Sequence, residues 1–203
     1  PMDPRPKFLH YKPHITIITG IAWDHMNVFP TYPDYTRQFR LLIESLGEDD
    51  TLIYCAEDQD LVDLVAEISP VCITIPYRTH EYILEDGTVI IKDEAGSAYP
   101  LEIFGNHNLQ NLKAAQLATH IAGLSSKDFY NSIQSFTGAS KRLQALHVEE
   151  RLTAYLDFAH APSKVRATVN AVREKHPHAY IIACLESVSY THLRAHETDS
   201  YLV

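Results

Sequence analysis

Apolar and polar positions along the first part of the chain predict strands and helices in alternation. Residues 14–23 and 51–57 are apolar on both faces and rich in β-branched side chains, which is typical of buried strands, the first as a central strand. Residues 32–47 and 58–69 carry apolar side chains at helical spacing. A third apolar run, 71–77, completes a β-α-β-α-β order. This order predicts an α/β domain with a largely parallel sheet.

The middle of the chain follows a different pattern. Residues 81–93 predict a hairpin that turns at Asp86 and Gly87, and residues 99–104 predict a further strand. A helix rich in amides is expected from Gly105 onward. A second helix over 125–136 begins with a sequence typical of a capping box.

From about residue 140 the pattern indicates the start of a second α/β unit. The elements predicted there are two strands, a helix and a further strand, over residues 143–150, 152–159, 162–177 and 179–186. Residues 187–203 lose all periodicity and resemble the translated sequencing-adapter tail found in metagenomic reading frames. We therefore expect this tail to be non-native; the alternative is a genuine His-rich C-terminal loop.

Composition narrows the classes of function. The net charge of −9 and the lack of a Lys/Arg run argue against a nucleic-acid surface. No stretch approaches the roughly 18–20 apolar residues of a membrane helix. The scattered Cys55, Cys72 and Cys184 suggest reduced, buried thiols rather than a disulfide framework or a zinc site. These features favour a cytoplasmic protein.

An acid and an imidazole follow each of two predicted strands. Asp24 and His25 come after the first strand, at the edge where open α/β sheets bind ligands. Such a pair suits a divalent cation or proton transfer, although a capped, solvated turn is the commoner outcome. Asp157 and His160 lie just before the helix that begins at Pro162, where an anionic group or a ribose could bind. The alternative there is an exposed histidine.

The amide-rich helix and the following basic loop are further candidates. Asn108 and Asn111 are three residues apart, so both carboxamides can lie on one helix face and bind an adenine edge or a ribose. Simple N-capping with a turn at Gly105 is the alternative, and it leaves other polar residues such as His107 unexplained. Arg142 lies on a Gly-containing loop, where a guanidinium could bind phosphate or remain solvated.

Four stretches, in this order, resemble the Mur ligase superfamily. "TGIAWDHMNVFP" resembles its strand-end Asp-His motif, and "GNHNLQNLKAA" its G-x-HN-x-x-N-x-x-AA signature. "FTGASKR" resembles the F-x-G-x-x-R-R junction, and "DFAHAP" the D-[FY]-[AG]-H-x-P motif. The resemblance covers residues 1–186 and is greatest to the murein peptide ligase branch. The UDP-N-acetylmuramate–L-alanine ligases and the folylpolyglutamate synthases are the nearest alternatives.

The resemblance implies an ATP-dependent, amide-forming ligase of peptidoglycan recycling. The carboxylate of UDP-N-acetylmuramate would be activated as an acyl phosphate, and the amine of a murein tripeptide would attack it. Magnesium would offset the charge of phosphoryl transfer. By the same resemblance His25 is a metal ligand with Asp24 beside it. The other implied roles are adenine binding by Asn108 and Asn111, turn formation by Gly105 and His107, ATP-phosphate binding by Arg142, ribose contact by Asp157, and catalysis near the phosphates and amine by His160, with Arg142.

The resemblance also implies a domain organisation. Residues 1–139 would be the C-terminal part of the central ATPase domain, and 140–186 the start of a Rossmann-like C-terminal domain. The phosphate loop G-[TS]-x-GK-[ST] is absent, because no Gly in the chain is followed by Lys. We therefore expect this chain alone to be inactive, since losing such preorganised donors costs orders of magnitude in rate.

Two other classes of function remain open at this point. A metal-dependent hydrolase would need Asp24, His25, Asp157 and His160 to converge on one metal ion. A non-catalytic nucleotide-binding module would bind ATP without turnover. The two Asp/His pairs on separate units, facing a cleft, would favour the ligase.

Overall fold

Most of the strands and helices predicted from the sequence are present in the structure. The computed structural model describes residues 5–26, 28–149 and 151–185; the expected tail at 187–203 lies outside these residues. The strands are β1 (Ile15–Ile18), β2 (Thr51–Cys55), β3 (Ile73–Tyr77), β4 (Tyr82–Glu85), β5 (Thr88–Lys92), β6 (Ala98–Leu101), β7 (Gln144–Val148) and β8 (Thr153–Leu156). The helices are α1 (Tyr32–Glu44), α2 (Gln59–Ile68), α3 (Asn106–Ile121), α4 (Ser126–Ile133) and α5 (Pro162–Lys175), after a 3-10 turn at Lys7–His10.

A parallel sheet in the order β1-β2-β3 forms the first layer of the molecule. Leu52 and Ile53 are adjacent in β2 and each is 0% exposed. Because successive side chains of a strand point to opposite faces, both faces of β2 are covered. This confirms the predicted α/β fold with a parallel sheet. Strand β1, expected to be central, is instead an edge strand among the described residues, and Ile17 is 40% exposed.

The predicted hairpin is also present and belongs to a separate antiparallel sheet, in the order β4-β5-β6. Its turn residues Asp86 and Gly87 both have positive φ, at 48° and 75°. Positive φ at both central positions is what a type I′ hairpin requires, and an Asp-Gly pair suits it.

Helix α3 lies between two hydrophobic cores. Ala114 packs into the core of the parallel sheet. Leu109 and Leu112 pack into a second core, together with Val89 and Ile91 from the antiparallel sheet. Helix α4 joins this second core and is capped by Ser125, whose Oγ accepts from the backbone N–H of Asp128 as the capping pattern predicts. One helix therefore supports both sheets.

Residues 140–185, here called the second unit, pack on the first unit, residues 5–139. Strands β7 and β8 pair antiparallel, and α5 begins at Pro162 as predicted. Leu143 and Ala171 are buried in the second core, so that core is built from both units. None of the helices among the described residues has the length and hydropathy needed to cross a membrane.

The prediction of a buried strand at 179–186 is wrong within the described residues. Residues 179–185 form no strand, and Tyr180 and Ile182 are 91% and 79% exposed. An apolar run forms a strand only where a neighbouring strand pairs with its N–H and C=O groups. No described strand lies beside this one. Cys184, expected to be buried, is exposed for the same reason, whereas Cys55 and Cys72 are buried.

Candidate functional site

The turn after β1 holds the first candidate acid in a buried position. Asp24 is 5% exposed, and its Oδ1 accepts from the backbone N–H of His25 at 2.8 Å. His25 has a φ of 55°, and its carbonyl accepts the backbone N–H groups of Val28 and Phe29. The imidazole of His25 is exposed. The turn therefore buries the carboxylate and presents the imidazole, so the alternative of a solvated Asp-His pair does not describe Asp24.

Asp58, which lies outside the sequence motifs, fixes the chain just before this turn. Its Oδ2 accepts from the backbone N–H of Ile21 at 2.7 Å. Its Oδ1 caps α2 by accepting from the N–H of Leu61 at 3.1 Å. A Cβ on Gly20 would lie 2.9 Å from the same Oδ2, so glycine leaves room for this carboxylate. One aspartate thus ties the end of β1 to the start of α2.

The second unit meets the buried carboxylate directly. Lys164, in the first turn of α5, donates from Nζ to Asp24 Oδ2 at 2.5 Å. His160 Nε2 lies 3.9 Å from Asp24 Oδ1, and His160 Nδ1 lies 2.9 Å from the carbonyl oxygen of Phe158. One member of each predicted strand-end pair, Asp24 and His160, therefore lies beside the other across the boundary between the units.

The pKa of Asp24 reflects these contacts. Burial acts to raise the pKa of the carboxyl, but hydrogen bonds from Lys164 and from the His25 amide, with the nearby positive charge of Lys164, outweigh it. The pKa of Asp24 is therefore lowered from its usual value, and the group is a carboxylate at neutral pH.

Lys164 is a site residue that none of the sequence motifs includes. It is the third residue of α5, where the helix dipole disfavours a positive charge, and no acidic residue lies in that first turn. A lysine in an electrostatically unfavourable position is a signal that it has a tertiary partner. That signal was in the sequence, but the identity of the partner was not.

The amide-rich start of α3 is not an N-cap of the ordinary kind. Gly105 is the N-cap residue, at φ 86° and ψ 141°, and no side chain caps the helix. Asn108 instead donates from Nδ2 to the carbonyl of Phe104 at 2.9 Å. The Asn111 side chain is exposed. The side-chain capping expected in the alternative is therefore absent, whereas the turn at Gly105 that it also expected is present, and Asn111 is accessible to a ligand.

A third amide in this helix has a structural role that the sequence did not reveal. Gln110 donates from Nε2 to Cys55 Sγ at 3.0 Å and to Glu57 Oε2 at 3.1 Å. Glu57 also accepts the hydroxyl of Thr79, at 2.7 Å. These bonds join the start of α3 to the ends of β2 and β3. Gln110 therefore accounts for one of the amides by linking elements rather than by binding a ligand.

Gly105 has a second role besides its backbone conformation. A Cβ at this position would lie 2.5 Å from the Cβ of Ala171 in α5 and 3.3 Å from the His107 ring. Glycine is therefore needed for α5 to approach α3. The same glycine that shapes the predicted nucleotide turn also lets the second unit pack there.

His107, Arg142 and Asp157 lie near one another at the unit boundary. Burial lowers the pKa of His107; the charge of Asp157 acts to raise it and that of Arg142 to lower it. His107 Nδ1 is buried with no hydrogen-bond partner among the described residues. Arg142 is exposed, with its guanidinium carbon 5.7 Å from the centre of the Phe158 ring.

Asp157 serves mainly to hold the backbone of the junction. Its Oδ2 accepts from the N–H of Leu143 at 2.8 Å, and its Oδ1 from the N–H of Ala159 at 2.6 Å. These bonds join the loop before β7 to the loop after β8. A ribose could use only the lone pairs that these amides leave free.

The residues expected to hold a magnesium ion fit that role in part. Among the described residues, no group of three or more His, Cys, Asp or Glu side chains is placed to hold a metal ion. The His25 imidazole is exposed and available, whereas Lys164 is bonded to Asp24 Oδ2. The four-residue cluster that a metal-dependent hydrolase would need is therefore not formed.

Curated relatives of this chain are named as ligases of UDP-N-acetylmuramate. The UDP-N-acetylmuramate–L-alanine ligase of Caldanaerobacter subterraneus subsp. tengcongensis is 25% identical over 205 residues, which is 95% of this chain and 44% of that protein. The UDP-N-acetylmuramate–L-alanyl-gamma-D-glutamyl-meso-2,6-diaminoheptandioate ligase of Haemophilus influenzae is 28% identical over 180 residues, which is 85% of this chain and 40% of that protein. The chain thus spans less than half of the length of these relatives.

Solved structures share the fold. MurF from Acinetobacter baumannii superposes with a TM-score of 0.68 at 18% identity, over 83% of this chain and 40% of that one. MurF from Thermotoga maritima, solved in complex with ADP, gives a TM-score of 0.61 at 14% identity, over 78% of this chain and 39% of that one. The Mur ligase middle domain matches residues 5–119, more than half of the chain. The chain therefore belongs to the Mur ligase family.

Proposed function

We propose that this chain is part of an ATP-dependent ligase that joins UDP-N-acetylmuramate to the amine of a murein tripeptide through an acyl phosphate. In this proposal the chain supplies the adenine end of the ATP site and the boundary with the second unit. The observation that carries it is the meeting of the two strand-end motifs, with His160 Nε2 3.9 Å from Asp24 Oδ1. If each motif were only a solvated turn, two motifs 130 or more residues apart in sequence would not be expected to lie in contact.

The nucleotide base would bind at the start of α3. Asn111 is exposed there, and Asn108 is held by its bond to the Phe104 carbonyl, which leaves its carboxamide oxygen free to accept. A carboxamide offers both a donor and an acceptor, as an adenine edge requires. The ADP complex of the Thermotoga maritima neighbour supports a nucleotide as ligand for this fold.

The phosphate and ribose side would lie at the unit boundary. Arg142 is exposed on the junction loop, where its guanidinium can form paired hydrogen bonds to a phosphate. Asp157 anchors that loop and would contact the ribose through its remaining lone pairs. His160 would lie near the phosphates and the incoming amine, where an imidazole can accept a proton.

A magnesium ion, if bound, would be held by His25 with Asp24 beside it. When present it would offset charge on the phosphates during transfer. The protein's own contribution is to fix the backbone of His25 in its turn and to keep Asp24 ionised. The same proposal places the protein in the cytoplasm, together with its nucleotide and UDP-linked substrates.

Nucleotide binding tests this assignment without requiring turnover. Titration of the chain with ATP, followed by calorimetry, should give binding that Asn111→Ala weakens by roughly tenfold, as loss of a paired base contact predicts. Asn131→Ala is the matched control, because Asn131 is an exposed asparagine of α4, outside the site. Equal loss in both variants, or no ATP binding at all, would refute the assignment.

The amine substrate needs a separate test. The relatives named above include both an L-alanine ligase and a tripeptide ligase. In a protein of the relatives' full length that contains this chain, we expect a higher kcat/KM for the murein tripeptide than for L-alanine. The opposite ranking would assign the L-alanine branch. The chain alone should form no amide product from ATP and either amine, and product formation would overturn that expectation.

A further inference from the structure

The carboxylate of Asp24 is the point where the second unit contacts the β1 turn. One oxygen accepts the His25 amide, and the other accepts the Lys164 ammonium. The Asp24 side chain is 7% exposed, whereas the Lys164 side chain is 45% exposed. A buried carboxylate therefore has a partner that can move into solvent without any change of the backbone.

Helix α5 is held differently at its two ends. Its C-terminal half contacts the first unit through Ala171 beside Gly105, a hydrogen bond from Tyr82 to Glu174, and Lys175 over the Phe104 ring at 4.2 Å. At its N-terminal end, Lys164 makes the ion pair with Asp24. Loss of that ion pair would remove a charged contact at the N-terminal end, next to the buried N-cap residue Ala161, while the C-terminal half stays packed.

We propose that Lys164 is a positioning residue that competes with a divalent cation for the Asp24 carboxylate. In the cation-free protein Lys164 aligns α5 with the β1 turn, and cation binding at Asp24 releases the lysine from it. This inference rests on the proposed function, which places a divalent cation at His25 and Asp24.

Electrostatic repulsion disfavours the binding of Lys164 and of a divalent cation to Asp24 at the same time. A divalent cation prefers carboxylate oxygens, and an ammonium on the same carboxylate would repel it at short range. Lysine is a compact charge on a flexible stem, so it can leave the carboxylate by rotating its side chain. The cation must therefore overcome the Asp24–Lys164 pair before it gains full access to the carboxylate.

Trp23 provides a local reporter for this exchange. It is the only tryptophan of the chain, it precedes Asp24, and its Nε1 donates to the Phe29 carbonyl at 3.1 Å. We would titrate the full chain with MgCl2 at constant ionic strength and follow Trp23 emission. Lys164→Met should lower the midpoint roughly two- to tenfold, as expected for removal of a partly exposed ion pair.

Matched variants separate this exchange from a merely structural effect. Lys164→Arg keeps a cation at the carboxylate and should keep the wild-type midpoint. Arg166→Met removes an exposed positive charge from the same helix and should do the same. Asp24→Asn should abolish the response. In the wild type, which needs no variant to fold, the Lys164 13Cε resonance should move to the position of solvated lysines at saturating magnesium.

Each outcome decides the inference. An unchanged or higher midpoint in Lys164→Met, an intact response in Asp24→Asn, or a Lys164 resonance that does not move would overturn it. No magnesium response in any variant would overturn both the inference and the proposed metal site. The ligase assignment would then still stand or fall on the separate ATP titration with Asn111→Ala.

Discussion

Asp24 and Asp157 each follow a strand and are each followed by a histidine within a few residues, yet the two aspartates have different structural roles. Asp24 accepts one backbone amide of its own turn and a lysine from the other unit, 140 residues away. Asp157 accepts two backbone amides and holds the junction at which the second unit begins. The first carboxylate joins two units through a charge, and the second shapes the chain through neutral donors.

A shared motif pattern therefore fixes where an aspartate lies but not what it contacts. A strand-end aspartate is placed by topology at the edge of a sheet, so its location follows from the sequence. Its partners depend on what the rest of the chain brings to that edge. The stability that a strand-end aspartate contributes can therefore depend on salt at one strand end and be independent of salt at the other.

The largest expected effect concerns Gly105, where α5 of the second unit packs against α3 of the first unit. Gly105→Ala should lower the free energy of unfolding by about 3 kcal/mol, since it combines a φ that disfavours side chains with overpacking against α5. Urea denaturation measures this loss. Adding Ala171→Gly should recover the packing part but not the backbone part. A loss well under 1 kcal/mol would show that α5 does not pack on Gly105.

Removal of the junction carboxylate should have the next largest effect. Asp157→Ala leaves the amides of Leu143 and Ala159 without acceptors and should cost about 2 kcal/mol of unfolding free energy. Asp157→Asn should cost less, because its carboxamide oxygen can still accept. The loss should be nearly independent of salt. A strong salt dependence would mean that Asp157 acts through charge, as Asp24 does.

The ion pair at Asp24 should contribute less and should respond to salt. Lys164→Met should cost about 1 kcal/mol at low salt, a modest value because the lysine is partly exposed. At 1 M NaCl, where the Debye length is about 3 Å, the difference from wild type should shrink. Urea denaturation at two salt concentrations checks this. A salt-independent loss would place the effect in packing of the lysine stem.

The smallest effect concerns His107, which lies near Asp157. Burial lowers the pKa of His107, so the folded protein favours the neutral ring. Its contribution to stability is therefore present above the unfolded pKa of about 6.5 and is lost as pH falls through the folded pKa. Asp157→Asn should lower this pKa further, because the carboxylate acts to raise it.

An NMR titration of the His107 ring protons measures that shift. Asp24→Asn is the matched control, since the charge of Asp24 is not among the influences on the His107 pKa. Equal shifts in the two variants would show that the aspartates are not electrostatically distinct.

Most of the fold could be predicted from local patterns, because the order of apolar and polar residues along a strand indicates which of its faces are buried. The continuous apolar run of β2 reflects a strand covered on both faces, and the Asp86-Gly87 pair reflects a turn with positive φ. Residues 179–185 show the limit of this reasoning. They have the composition of a buried strand but form none beside the described strands, since pairing depends on a neighbour and not on composition.

The candidate site was predicted in position but not in its contacts. Topology placed Asp24 and Asp157 at strand ends, and the helix pattern placed Asn108 and Asn111 in the first turns of α3. The partnership of Asp24 with Lys164 depends on how two distant segments pack, which no local pattern encodes. Likewise the amide of Asn108 donates to Phe104 where a helix cap was one of the expected outcomes.

Helix α3 has a consequence for how the molecule unfolds. Ala114 packs in one core, and Leu109 and Leu112 pack in the other, within a single helix of 16 residues. Neither core can lose this helix without exposing apolar surface in its neighbour, so their melting is thermodynamically coupled. A ligand that binds at the first turns of α3 would stabilise both sheets at once. Because the second core also contains Leu143 and Ala171 of the second unit, we expect one cooperative transition that includes both units and that nucleotide shifts as a whole.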